Sequence, residues 1–135
     1  MTEKILDGKI IAVDFDSTIS SYNGWRGIGI FGQPIESVAW ALGQFKKMGA
    51  IVVIWTCRRE TNLVMEYLKE KKIPFDYVNF SPRNKEFNLS PKKIAADIYI
   101  DDKAINFSGE WKNTYLQVVN FKRWEAKHGG AAIRS

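Results

Sequence analysis

The chain has 135 residues, 45% hydrophobic and 26% charged, the balance of one globular domain with enough apolar mass for a core. A single cysteine excludes an internal disulfide framework, and no apolar run is long enough to span a bilayer. The net charge of +5 favours anionic partners, although the lysines are dispersed as they are on solvated helix faces. No basic-then-apolar opening reads as a signal peptide, so the expected location is cytoplasmic with no membrane partner.

Met1 to Lys9 is polar and reads as a short entry segment. Ile10 to Phe15 is continuously apolar up to Asp14, the pattern of a central parallel strand covered on both faces. It runs into Asp14-Phe15-Asp16-Ser17-Thr18, two carboxylates on alternate residues followed by two hydroxyls. Residues i and i+2 of a strand share a side, so Asp14 and Asp16 start together where strand gives way to loop. Two close anions repel unless a cation or a shared proton relieves them. A polar turn at a strand end has the same composition, and the remaining segments decide between the two.

Ser20 to Gln33 holds Gly24, Gly27, Gly29 and Gly32, too many glycines for a helix, and reads as a flap or small hairpin beside the aspartates. Trp25 and Phe31 would supply its apolar contacts, and Trp25 is the aromatic to test for substrate stacking. Pro34 can open a helix whose core face is Ile35, Val38, Ala39, Leu42, Phe45 and Met48, with Gly49 as the stop. Ala50 to Trp55 is a second buried strand, ending in Thr56-Cys57-Arg58-Arg59. A helix is expected over Thr61 to Lys72, a short strand over Phe75 to Phe80, and a loop over Ser81 to Ser90. Pro91 to Ala96 offers a helical turn. Asp97 to Ile100 forms a fourth strand running into Asp101-Asp102, Tyr115 to Val119 a fifth, and Phe121 to Lys127 a closing helix before a frayed tail at 129–135. Alternating strands and helices predict a single α/β domain over 1–135, three-layered and Rossmann-like with a mainly parallel sheet.

In such sheets ligands bind beyond the carboxyl ends of the strands, where Asp14/Asp16, Thr56 and Asp101/Asp102 all fall. Asp14 with Asp101 and Asp102 can hold Mg2+, a hard cation that takes carboxylates and phosphate oxygens. Asp14 can then attack phosphorus, while Asp16 protonates the leaving oxygen and later activates water. The Thr56 hydroxyl and a lysine can bind the equatorial phosphate oxygens. Arg58 or Arg59 can reach a second anionic group, or stand as surface charge beside a helix start. Cys57 has no histidine near it in sequence and is expected to be a spectator, as is His128 in the tail.

The ordered set Asp14-Phe15-Asp16-Ser17-Thr18, Thr56, a lysine and Tyr99-Ile100-Asp101-Asp102 resembles the four-motif signature of the haloacid dehalogenase-like hydrolase superfamily, over about Lys9 to Lys103. The resemblance implies Asp14 as nucleophile and metal ligand, and Asp16 as general acid/base with its carbonyl on the metal. It implies Thr56 and Lys93 on the phosphate, Asp101 as direct metal ligand and Asp102 as support; Lys92 and Lys85 are rivals for the lysine. A carboxylate at Asp16 implies phosphotransfer rather than dehalogenation, since an alcohol leaving group needs an acid. The insertions at 20–33 and 79–92 are too short for a cap domain. The expectation is thus a capless, magnesium-dependent phosphatase acting through an aspartyl-phosphate. Its substrate would be a phosphorylated small molecule, a nucleotide or a nucleic-acid end, and a homo-oligomer is allowed. The alternative is a non-catalytic module on the same fold that binds phosphate or nucleic acid.

Overall fold

β-Branched residues mark the two central strands. In the computed structural model, which describes residues 4–86, 93–122 and 124, β1 is Ile10–Asp14 and β2 is Ile51–Trp55. Two shorter strands follow, β3 at Tyr77–Val78 and β4 at Ile98–Ile100. The sheet order is β3-β2-β1-β4 and every pairing is parallel. Helices fill the connections: α1 at Val38–Lys47, α2 at Thr61–Glu70 and α3 at Pro82–Glu86, with α4 at Trp111–Val119 after the last strand. This is a small Rossmann-like α/β fold, and no cap domain is evident among the described residues.

Alternation along the strands explains the burial. Ile11, Val13, Val52 and Ile54 join Leu42 of α1 and Val64, Tyr67 and Leu68 of α2 in one core. Ile10, Ala12 and Val53, of opposite parity, are buried as well, so β1 and β2 are covered on both faces. The N-terminal edge of the sheet uses one device twice. Asp76, just before β3, donates its N–H to the Val52 carbonyl and accepts the Val52 N–H on Oδ2, both at 2.8 Å. Asp97, just before β4, makes the same pair with Ile10, again at 2.8 Å each. Each carboxylate stands in for a strand carbonyl, and each meets a cation, Lys46 at 2.6 Å and Arg83 at 2.8 Å. Gly49 ends the α1 turn at φ 95°, and a Cβ there would lie 2.7 Å from Asp7 Cα, so only glycine passes.

Several sequence expectations need correction. Tyr115 to Val119 is not a fifth strand but the body of α4. Its β-favouring residues are overridden by a cap: Glu110 accepts the Asn113 N–H at 2.8 Å, and Thr114 Oγ1 donates to the Glu110 carbonyl at 3.0 Å. The loop expected from Ser81 opens with α3. The helix expected from Pro34 starts at Val38, because Pro34 is drawn into a bridge with Ser20. The strand over Phe75 to Phe80 shrinks to Tyr77–Val78. Residues 93–96 form no helical turn, and Phe121 and Lys122 are not helical. Apart from Trp124, the rest of the closing helix lies outside the described residues, as do His128, the tail at 129–135 and residues 87–92, which include the end of the expected loop, Pro91 and Lys92.

Candidate functional site

Register brings the polar strand ends together. Val13 pairs with Ile100, so Asp14 and Asp101 leave adjacent strands side by side. Asp14 pairs with Trp55, which puts Thr56 one step beyond on the other flank. One oxygen from each of Asp14, Asp101 and Asp102 lies within 4.8 Å of the others. Burial pushes the Asp14 carboxyl up to about 8; a hydrogen bond with Asp102 and the charges of Asp101 and Asp102 act in the same direction. Thr18 Oγ1, donating to Asp14 Oδ2 at 3.2 Å, opposes them. Three acidic groups this close could hold a cation. Three carboxylates are a hard oxygen donor set of the kind that suits Mg2+, Ca2+ or Mn2+.

The turn after Asp14 is tightly tied. Ile19 and Ser20 both donate to the Phe15 carbonyl, at 2.8 and 3.1 Å, and Ser17 N–H reaches the Ser20 carbonyl at 2.8 Å. This bends Ser17 to φ 67°, a left-handed conformation that costs a non-glycine residue energy and that the bonds around it enforce. Trp124 Nε1 donates to the Ser17 carbonyl at 3.1 Å, tying the far end of the chain to this turn.

Asp16 does not join the acidic cluster with its side chain. Its two oxygens accept from Arg58, Oδ2 from Nε at 3.1 Å and Oδ1 from Nη2 at 3.0 Å. The Arg58 side chain is only 7% exposed, its guanidinium carbon 4.7 Å from the ring centroid of Phe31, 5.1 Å from Trp25 and 5.8 Å from Phe15. Arg58 is thus turned inward onto Asp16, and Arg59 is exposed.

Thr56 is buried, and its hydroxyl accepts the Arg58 N–H at 3.0 Å, which leaves its own O–H to donate. A clamp absent from the sequence reading holds it. Asn79 Oδ1 accepts the Thr56 N–H at 2.8 Å, and Asn79 Nδ2 donates to the Thr56 carbonyl at 3.0 Å. Asn79 itself sits at φ 54°, a region asparagine tolerates better than most residues. Its polar side chain one residue past an apolar strand was the available signal, as it was for Thr56 and Asp101. Asn79→Gly, which relieves the backbone while deleting the clamp, is expected to lower unfolding free energy by about 2 kcal/mol in denaturant titration. An unchanged midpoint would show that Thr56 holds its position without the amide.

Lys93 is exposed, with Nζ 4.8 Å from the Tyr99 ring centroid, and among the described residues no ion pair joins it to the aspartates. Its segment is anchored by α3 and the residue before it: Asn84 Nδ2 donates to the Lys93 carbonyl at 3.2 Å, Asn84 Oδ1 accepts Ala95 N–H at 3.0 Å, and Ser81 Oγ donates to the Ala95 carbonyl at 2.7 Å. Lys85 is exposed on α3, and Lys92 is outside the described residues. Cys57 is exposed.

The loop at 21–33 closes at its neck. Ser21 N–H donates to the Gln33 carbonyl at 2.8 Å, and Gly32 N–H to Ser20 Oγ at 3.0 Å. A Cβ at Gly32 would lie 2.0 Å from the Ser21 carbonyl oxygen, so the neck admits glycine alone. Phe31 packs with Phe15 and Tyr67 at centroid distances of 5.6 and 4.9 Å, and Tyr67 donates to the Gly32 carbonyl at 2.9 Å.

No protein-family model matches the chain, and no curated protein does. Among solved structures, a conserved protein coded by a locus of Bacteroides thetaiotaomicron is similar, with a TM-score of 0.61 and 22% identity. The match covers 86% of this chain and 93% of that one. A likeness at that identity establishes a shared fold and leaves the chemistry to the site itself.

Proposed function

We propose that this chain is a magnesium-dependent phosphatase of the haloacid dehalogenase-like type, cleaving phosphomonoesters through an aspartyl-phosphate on Asp14. The observation that carries the reading is the meeting of Asp14, Asp101 and Asp102 within 4.8 Å at the carboxyl ends of β1 and β4. Bound there by Asp14, Asp101, Asp102 and the Asp16 carbonyl, Mg2+ would supply charge that lets an anionic carboxylate approach an anionic phosphate. An Asp14 oxygen attacks phosphorus, the ester P–O bond breaks, and the alcohol leaves with a proton from Asp16. Asp16 then takes a proton from water, whose oxygen attacks phosphorus and returns Asp14 as a carboxylate with release of phosphate. The Thr56 O–H donates to a phosphoryl oxygen, and Lys93 closes on the phosphate from its anchored segment.

Arg58 bears on the second half of this cycle. Both Asp16 oxygens accept from the guanidinium, which orients the carboxylate that acts as base. The same contact opposes the acid step, since Asp16 must free an oxygen to deliver a proton. That clamp favours a second reading, a module that binds a phosphorylated group without turning it over.

The test is phosphate release from glycerol phosphate, an aryl phosphate and nucleoside monophosphates, before and after stripping divalent metal. Release that stops with chelator and returns with Mg2+ is expected. Metal-independent release overturns the metal role; stoichiometric binding without release from any ester selects the second reading.

A further inference from the structure

Trp25 is held like a structural residue and exposed like a binding one. It is 57% exposed, yet its ring lies 5.1 Å from the Arg58 guanidinium, which is itself fixed by two hydrogen bonds to Asp16. The loop that carries it is pinned at the neck and by Phe31 against Phe15 and Tyr67. An indole that served only to cover the core would sit where Phe31 sits, half-buried among rings. Instead the indole stays more than half exposed while it meets the guanidinium that also holds Asp16.

Arg58 is spent inward, so it is not the group that recognises a second phosphate. What this side of the site offers a substrate is an exposed aromatic ring seated on a guanidinium, in a protein whose charge of +5 draws anions. We infer that the site takes nucleoside monophosphates, with the nucleobase stacked on Trp25 while the phosphate sits at Asp14. The inference rests on the phosphatase reading for the place of the phosphate, but not for the stacking. Sequence-tolerant stacking is what an aromatic ring provides, because every base has a π-face, so the preference is for a ring rather than for one base.

Two measurements separate the claims. Binding is read on the indole N–H resonances, with Trp25 assigned by its loss in Trp25→Phe. A nucleoside monophosphate is expected to shift the Trp25 signal and glycerol phosphate to leave it in place; equal responses to both, or none to either, overturn the stacking whether or not the protein turns over. Selectivity is read as the ratio of kcat/KM for a nucleoside monophosphate over glycerol phosphate. Trp25→Ala is expected to lower that ratio at least about tenfold, with Trp25→Phe retaining most of it. A ratio unchanged in Trp25→Ala overturns the inference while leaving the phosphatase reading intact. A stronger Trp25-dependent preference for a phosphate-ended oligonucleotide supports the stacked base and assigns its source to nucleic acid.

Discussion

Asp14→Asn is expected to abolish phosphate release from an aryl phosphate, by on the order of a thousandfold or more, while the sheet stays folded. The amide matches the carboxylate in shape and keeps an oxygen for the Thr18 hydroxyl, which now sits 3.2 Å from Asp14 Oδ2. It has no anionic oxygen to attack phosphorus. The same change replaces one of three neighbouring acidic groups with a neutral amide of the same size, so it opens no cavity and leaves no new charge to bury. Loss of activity should therefore come with an unchanged far-UV spectrum and an unfolding midpoint at least equal to that of the metal-free parent. Phosphate release within tenfold of the parent would remove Asp14 from the nucleophile's role. A collapsed fold would mean that Asp14 is structural, which its position at the end of a central strand paired on both sides through Val13 argues against.

How much of this was legible in the sequence depends on whether a residue's partner is local. Ile10 to Asp14 and Ile51 to Trp55 are readable because a strand buried on both faces is a short, unbroken apolar run, and its polar terminus is visible as a break in that run. That alone located Asp14, Thr56 and Asp101 at one edge of the sheet. Tyr115 to Val119 was misread because a run such as Tyr-Leu-Gln-Val-Val has strand composition, and its helix begins at Glu110, a residue type that is not a favoured cap. Asn79, Asp76 and Asp97 were invisible as clamps since each completes a backbone ladder more than 20 positions away. Arg58 was legible as a cation near the site but not as the partner of Asp16, 42 positions earlier. Its inward turn sets it against Phe31 and Trp25, which the sequence offers as the apolar contacts of a flap but not as partners of a guanidinium.

The metal-free protein is expected to lose stability as pH rises from about 4 to about 8, the reverse of the usual behaviour of a native carboxylate. Asp14 titrates near 3.8 when exposed and near 8 in the fold, with burial first among the causes and the neighbouring Asp102 and Asp101 adding to it. Between those values the folded state holds a proton that the unfolded chain has already released. Unfolding therefore becomes easier with each step in pH, and the loss levels off above 8. A fully sequestered group would contribute about 1.4 kcal/mol per pH unit. Asp14 is partly open to water, so screening reduces the whole effect to about 2–3 kcal/mol. Cation binding should release this proton, restoring stability most at high pH where the carboxylates otherwise repel unaided. Denaturant midpoints from pH 5 to 9, with chelator and with Mg2+, read both effects, and Asp14→Asn should flatten the chelated curve. A chelated profile flat over that range would mean that the three aspartates do not crowd one another enough to need a cation, and the metal centre would go with it.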